Sequence, residues 1–108
     1  MAEGGPAYAG GGEPAVVVVV LRAQLRFAEA FSLKDKRAAL QSLLRRTAQR
    51  FRVSVAEVAH QDEIRRGEIA VAVVGSDGRV AERVLRQVLA FVDADHRIEV
   101  VSREVERR

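Results

Sequence analysis

The segment VVVVVLRAQLRF, residues 16–27, decides the fold. It opens with five valines, whose β-branched side chains favour an extended backbone. It then alternates apolar and polar side chains from Leu21 to Phe27. A period of two is typical of a β-strand, and we predict that this first strand lies at the centre of a sheet.

The next segment changes to a helical period. Ser32 and Asp35 have the spacing of a capping box, in which the first side chain accepts a hydrogen bond from the backbone three residues later. The mainly apolar residues behind this cap fall within about a third of a helical turn; they are Leu33, Leu40, Leu43, Leu44, Thr47 and Phe51. We therefore predict a helix from about Leu33 to Phe51.

The rest of the chain completes a βαββαβ order. Strands are predicted at residues 53–60, 68–74 and 97–105, and a second helix runs from the turn at 75–78 to about residue 93. Two right-handed crossovers joined by a hairpin produce the ferredoxin-like α+β fold, a four-stranded antiparallel sheet with both helices on one face. Strands one and three are then central. Strand two has no clean apolar side, so its facing is not predicted.

Residues 1–14 differ in composition from everything that follows. They hold both prolines and five of the eight glycines, with few side chains for a core, so we predict a flexible Gly/Pro-rich tail. Residues 15–108 are predicted to form a single domain.

Composition excludes several classes of protein. The 108 residues include no cysteine, which rules out a disulfide framework, a thiol nucleophile and a thiolate metal site. The longest apolar run, residues 15–21, is far shorter than the ~20 residues that span a bilayer. We predict a cytoplasmic protein without a membrane segment, catalytic residues, cofactor or metal.

Positive charge is concentrated in one segment. Residues 31–52 contain one acid, Asp35, and seven cations, which are Lys34, Lys36, Arg37, Arg45, Arg46, Arg50 and Arg52. This segment carries a net charge of +6 within a chain of net +3, so the remainder is −3. Such asymmetry favours an anionic partner, and the alternative is an ordinary solvated helix face.

Two stretches resemble a known family. They are SLKDKR at residues 32–37 and FRVSVAEVAHQD at residues 51–62, and they are similar to the YlxP-like family of bacterial domains of unknown function. The likeness extends from about Val16 to Val105. It implies a ferredoxin-like fold, and the frequent position of the family's genes beside translation and ribosome-maturation genes implies a role near ribosomes or RNA.

The triplet His60-Gln61-Asp62 has two interpretations. An imidazole and a carboxylate on one face of an extended segment suit a metal site or general acid–base chemistry. The sequence offers neither a third ligand nor a nucleophile beside them, which favours a turn network that holds the hairpin.

Two hypotheses for function follow. The first is a non-enzymatic module that binds structured RNA or a ribosomal surface through the seven cations of residues 31–52. The alternative is a homodimeric or protein-interaction module that uses the open face of the sheet. Its predicted interface comprises Val18, Val20, Arg22, Ala70 and Ala72.

The predicted tail generates a first test. Deleting residues 1–14 should change the free energy of unfolding by no more than about 0.5 kcal/mol, because a segment outside the core packs against little else. Denaturant midpoints of the full and shortened chains measure the difference. A large drop in midpoint would show that the segment belongs to the sheet.

Overall fold

The predicted order of elements is confirmed in a computed structural model, which describes residues 15–108. The predicted tail, residues 1–14, lies outside the described residues. The elements are β1 (Val17–Arg26), α1 (Leu33–Phe51), β2 (Ser54–Ala59), β3 (Arg66–Gly75), α2 (Gly78–Asp93) and β4 (Glu99–Arg107). The strands form one sheet in the order β2-β3-β1-β4 with antiparallel neighbours. The fold is therefore ferredoxin-like α+β, with β1 and β3 at the centre as expected.

The core lies between one face of the sheet and the two helices. Leu21 on β1 stands opposite Val71 on β3 and Val105 on β4. Full burial of one aliphatic side chain contributes roughly 1.5–3 kcal/mol. The fully buried aliphatic residues of the sheet and helices include Val19, Leu21, Leu40, Leu43, Ile69, Val71, Leu85, Val88 and Val92. On the opposite face of the sheet, no helix is present among residues 15–108.

Local hydrogen bonds set the start of α1. The Ser32 hydroxyl accepts from the Asp35 N–H at 3.1 Å, and the Asp35 carboxylate accepts from the Phe31 N–H at 3.0 Å. The first bond satisfies one of the N–H groups that a helix leaves without a partner, and the second ties the residue before the cap to the first turn. The predicted Ser32 cap is therefore confirmed. The helix ends where Arg52 adopts a left-handed backbone with φ 49°.

The last strand begins two residues later than predicted. Asp95 accepts a hydrogen bond from the Arg97 N–H at 3.0 Å, which holds residues 95–97 in a turn. β4 therefore starts at Glu99 and continues to Arg107, where it pairs with Val19 of β1. Within residues 15–108, no helix combines the length and the apolar character needed to cross a bilayer.

Candidate functional site

A buried lysine joins the first turn of α1 to the edge of the sheet. The Lys36 side chain is 0% exposed, and its Nζ donates to the His60 carbonyl at 2.7 Å. The same Nζ lies 3.2 Å from Glu57 Oε2 on β2. A lysine without water access cannot contact a phosphate, so the prediction of Lys36 as a nucleic-acid-binding residue is wrong.

The surroundings of Lys36 show why the ammonium group needs these partners. An isolated charge is very costly to bury, and protein acceptors must replace the water that it gives up. Glu57 points towards the helix layer and supplies the opposite charge, although Glu57 Oε2 makes no hydrogen bond among the described residues. The contact is thus an ion pair without hydrogen-bond alignment, and the His60 carbonyl is the directional acceptor.

Gly67 of β3 lies against the Phe27 ring and beside the Lys36 stem. A Cβ on Gly67 would lie 3.2 Å from Phe27 Cε2 and 3.5 Å from Lys36 Cε. The first distance is tighter than an ordinary van der Waals contact. Because Gly67 lacks a side chain, the Phe27 ring and the Lys36 stem can both pack against β3.

His60 occupies an unusual backbone conformation within a dense set of hydrogen bonds. Its φ is 64°, a left-handed value that is uncommon outside glycine, although histidine adopts it more often than most residues do. Its carbonyl also accepts from the Glu63 N–H at 3.0 Å. Its Nδ1 lies 2.7 Å from Glu63 Oε2, and its Nε2 lies 3.2 Å from Arg66 Nη2. Because Arg66 can only donate, Nε2 is the acceptor in that contact.

These contacts support the turn-network interpretation of His60. The hydrogen bond from His60 lowers the pKa of the Glu63 carboxyl, and the neighbouring Arg66 charge lowers it further. Gln61 and Asp62 are exposed at the tip of the same turn. Among residues 15–108, no three His, Asp or Glu side chains lie close enough to hold a metal ion.

The two stretches that carry the family resemblance therefore meet in space. Lys36 belongs to the first stretch, and Glu57 and His60 belong to the second. Sequence reasoning missed this pairing, although a signal was present. On a helical wheel Lys36 lies within about 40° of Leu40 and Leu43, which places it on the buried side of α1.

The remaining cations of residues 31–52 divide into two groups. The first, which we call the outward arc, consists of Lys34, Arg37, Arg45 and Arg52. All four are exposed, and none forms an ion pair with an acid among residues 15–108. The carboxylate of Asp35 caps the helix, so the positive charge of the arc has no ion-paired counterpart in the described chain.

Arg46 and Arg50 form the second group, at the contact between the helices. Arg46 Nη2 lies 2.8 Å from Asp95 Oδ2, and the Arg46 guanidinium lies 5.6 Å from the centre of the Phe91 ring. Arg50 lies 5.4 Å from the Phe51 ring and 5.6 Å from the Phe91 ring. Arg97 and Arg46 hold the pKa of Asp95 well below its usual range, which keeps the Arg46 partner ionised. The predicted basic surface is therefore not continuous, because Arg46 is held at the helix contact by the Asp95 carboxylate, which it shares with Arg97.

The open face of the sheet has an apolar half and a charged half. Val20 stands opposite Ala72, and Arg22 opposite Ala70, as the predicted interface requires. We call the apolar half the open-face patch; its members are Val18, Val20, Ala56, Ala70, Ala72 and Val74. Arg22 marks its limit, because Arg22 Nη2 binds Glu68 Oε2 at 2.6 Å.

Comparisons with known proteins identify a family and a relative to which this chain is similar. A family model described as "Protein of unknown function (DUF503)" matches residues 18–105. The chain is also similar to "Uncharacterized protein YlxP" of Bacillus subtilis (strain 168), with 41% identity over 71 residues, which are 66% of this chain and 77% of the relative. The Lys36–Glu57 pair and the outward arc all lie within the range that the family model matches.

The buried ion pair predicts unequal effects of removing its two members. Glu57→Leu leaves a fully buried ammonium group, and we expect a loss of about 3–5 kcal/mol in the free energy of unfolding. Lys36→Met should cost less, because the Glu57 side chain left behind is 23% exposed, although its Oε2 is buried, whereas Lys36 is fully buried. Urea denaturation measures both effects.

The double variant Lys36→Met with Glu57→Leu is the internal control. Because apolar groups then replace both charges, it should recover most of the stability that Glu57→Leu alone removes. If the changes in the free energy of unfolding for the two single substitutions simply add in the double variant, the two side chains do not form a direct pair.

Proposed function

We propose that this chain, which belongs to the YlxP-like DUF503 family, is a non-enzymatic module that binds structured RNA, free or on a ribosome, through the outward arc. The observation that carries the proposal is the arc itself, four exposed cations without an acidic partner among residues 15–108. A phosphate backbone is the partner that best satisfies such a surface, since each contact releases condensed counterions.

The contrast with α2 strengthens the argument. Without the buried Lys36 and the paired Arg46, α1 carries four cations against one acid, whereas α2 carries three arginines against two acids. A merely solvated helix needs a mixture of both signs, as α2 has. The bias of α1 therefore favours an anionic partner on that side of the molecule.

The spacing of the arc suits several phosphates. Lys34 and Arg45 differ by about 20° around the helix axis and by about 16 Å along it. Arg37 lies between them along the axis and about 60° to the side of Lys34. This length is comparable with several phosphate steps of a duplex strand. We therefore propose contacts to the backbone of folded RNA, which set position and orientation without reading bases.

The sheet is not the proposed RNA surface. RNA-recognition domains of similar topology stack bases on aromatic residues of the central strands. The corresponding open face here presents aliphatic side chains, including Val20, Ala70 and Ala72. Catalysis is not part of the proposal either, because both ring nitrogens of His60 are already engaged. A ribosomal partner would place the protein in the cytoplasm.

The proposal predicts a specific salt dependence. Arg37→Ala with Arg45→Ala should weaken binding to unrelated structured RNAs alike, because the two arginines are proposed to bind phosphates and not bases. The slope of log affinity against log salt should fall by about 0.7–0.9 for each phosphate that the protein no longer neutralises. Filter binding over a salt series measures both quantities.

The matched control is Arg83→Ala with Arg86→Ala, which removes the same charge from exposed positions of α2. Equal weakening of RNA binding in the two double variants would show a general charge effect and exclude the outward arc as the site. Absence of RNA binding by the wild-type chain at low salt would exclude the function.

A second candidate function has its own observation. The open-face patch is apolar, and its member Val74 is 70% exposed. Contiguous exposed apolar surface often marks an interface, and a second copy of the chain could cover it in a symmetric dimer. This arrangement leaves the outward arc free, since α1 packs on the other face of the sheet.

The dimer predicts a response to one buried charge. Val20→Glu should convert a dimer to a folded monomer, because it places a carboxylate in a dry interface. Light scattering reports the mass, and circular dichroism reports the fold. Ser102→Glu, on the charged half of the same face, is the control and should leave the mass unchanged. A monomeric wild-type chain would rule the dimer out.

A further inference from the structure

Phe31 is exposed to water in a way that the other phenylalanines are not. Its exposure is 82%, whereas Phe27 is buried. Phe51 and Phe91 pack edge to face with ring centres 5.4 Å apart, and arginines lie over both rings. Within residues 15–108, Phe31 is thus the aromatic side chain whose ring is left to solvent.

Helix capping does not account for this exposed ring. Phe31 precedes the N-cap Ser32, a position where an apolar residue usually packs against the fourth residue of the helix. That fourth residue is Lys36, whose side chain turns inward to Glu57 and His60. The usual apolar partner is therefore missing, and the ring projects from the surface.

The backbone that carries the ring is nonetheless fixed. The Phe31 N–H donates to the Asp35 carboxylate at 3.0 Å, and the next residue caps the helix. A ring on an anchored backbone gives up little conformational freedom when a flat group stacks on it, which lowers the entropic cost of binding.

The chemistry around Phe31 indicates which flat group fits. Between residues 28 and 38, the other exposed side chains are alanines, two acids and two cations. Of the acids, Asp35 is engaged in capping the helix, and Glu29 lies in the preceding turn. An apolar protein partner would call for further apolar residues around the ring. The two exposed cations instead belong to the outward arc: Lys34 and Arg37 follow Phe31 by three and six residues, and their Cβ atoms are about 5–6 Å apart at this helical spacing. An aromatic platform beside backbone-contacting cations is the combination that binds unpaired nucleotides.

We propose that Phe31 stacks on an unpaired nucleobase of the bound RNA, while Lys34 and Arg37 contact the phosphates beside it. This inference rests on the proposed function and gives it a substrate class: RNA in which a duplex ends in a single-stranded extension. The duplex lies along the arc towards Arg45, and the first unpaired base lies over Phe31. Stacking tolerates any base, because every base has a π face.

Two RNA hairpins with the same stem test the inference, one blunt and one with a short single-stranded extension. By fluorescence anisotropy, the wild-type chain should bind the extended hairpin about 5- to 150-fold more tightly, the range that corresponds to a stacking free energy of about 1–3 kcal/mol per base. Phe31→Ala should abolish this preference and leave affinity for the blunt hairpin unchanged. The slope with salt on either RNA should also stay unchanged, because the cations that bind the phosphates remain in place.

Two further variants separate stacking from simple apolar contact. Phe31→Trp should keep the preference, and Phe31→Leu should lose it; all three variants should fold, since the side chain is exposed. Equal wild-type affinity for the two hairpins, or a preference that survives in Phe31→Leu, would overturn the inference and leave the outward arc intact. If neither hairpin binds at low salt, the proposed function fails and the inference fails with it.

Discussion

The burial of the Lys36 ammonium group constrains the part of the molecule where the start of α1 meets β2 and the β2–β3 turn. Lys36 has no access to water, so its charge must find acceptors within the protein. It finds Glu57 on β2 and the carbonyl of His60. These contacts join α1, the edge strand and the β2–β3 turn, and they form with Glu57 facing the helices and His60 in a left-handed backbone conformation.

The same constraint sorts the cations that surround Lys36 in the sequence. Turning Lys36 inward leaves Lys34 and Arg37 on the outside of the same helix turn. It also leaves Phe31 without the neighbour that would normally cover its ring. The surface proposed to bind RNA is therefore a consequence of the buried contact. The exposed ring and cations lie at the first turn of α1, and this turn cannot shift without breaking the contacts of the buried Lys36 ammonium group.

Local patterns were sufficient for much of the fold. Both ends of α1 were predicted, because the Ser32 cap and the apolar stripe are properties of a short segment. The strand β2 was predicted, but the side that faces the core was not. The physical reason is that Glu57 lies on the inner side, which is favourable only because Lys36 is opposite. The contacts within the site were less predictable, because the residues that form them are distant in sequence. Examples are Lys36 with His60, and Arg46 with Asp95. Charged side chains are almost always exposed unless they are paired, so a prediction from sequence assigns them to the surface when no partner is evident.

The central claim, that Lys36 is a buried structural cation and Lys34 an exposed one, can be tested directly because the chain contains only these two lysines. Nitrogen-15 NMR of the two side-chain ammonium groups reports how fast their protons exchange with water. We predict one slowly exchanging signal from Lys36, with a correlation through the hydrogen bond to the His60 carbonyl carbon. The Lys34 signal should exchange rapidly. Two ammonium groups that exchange equally fast, with no correlation to His60, would contradict it.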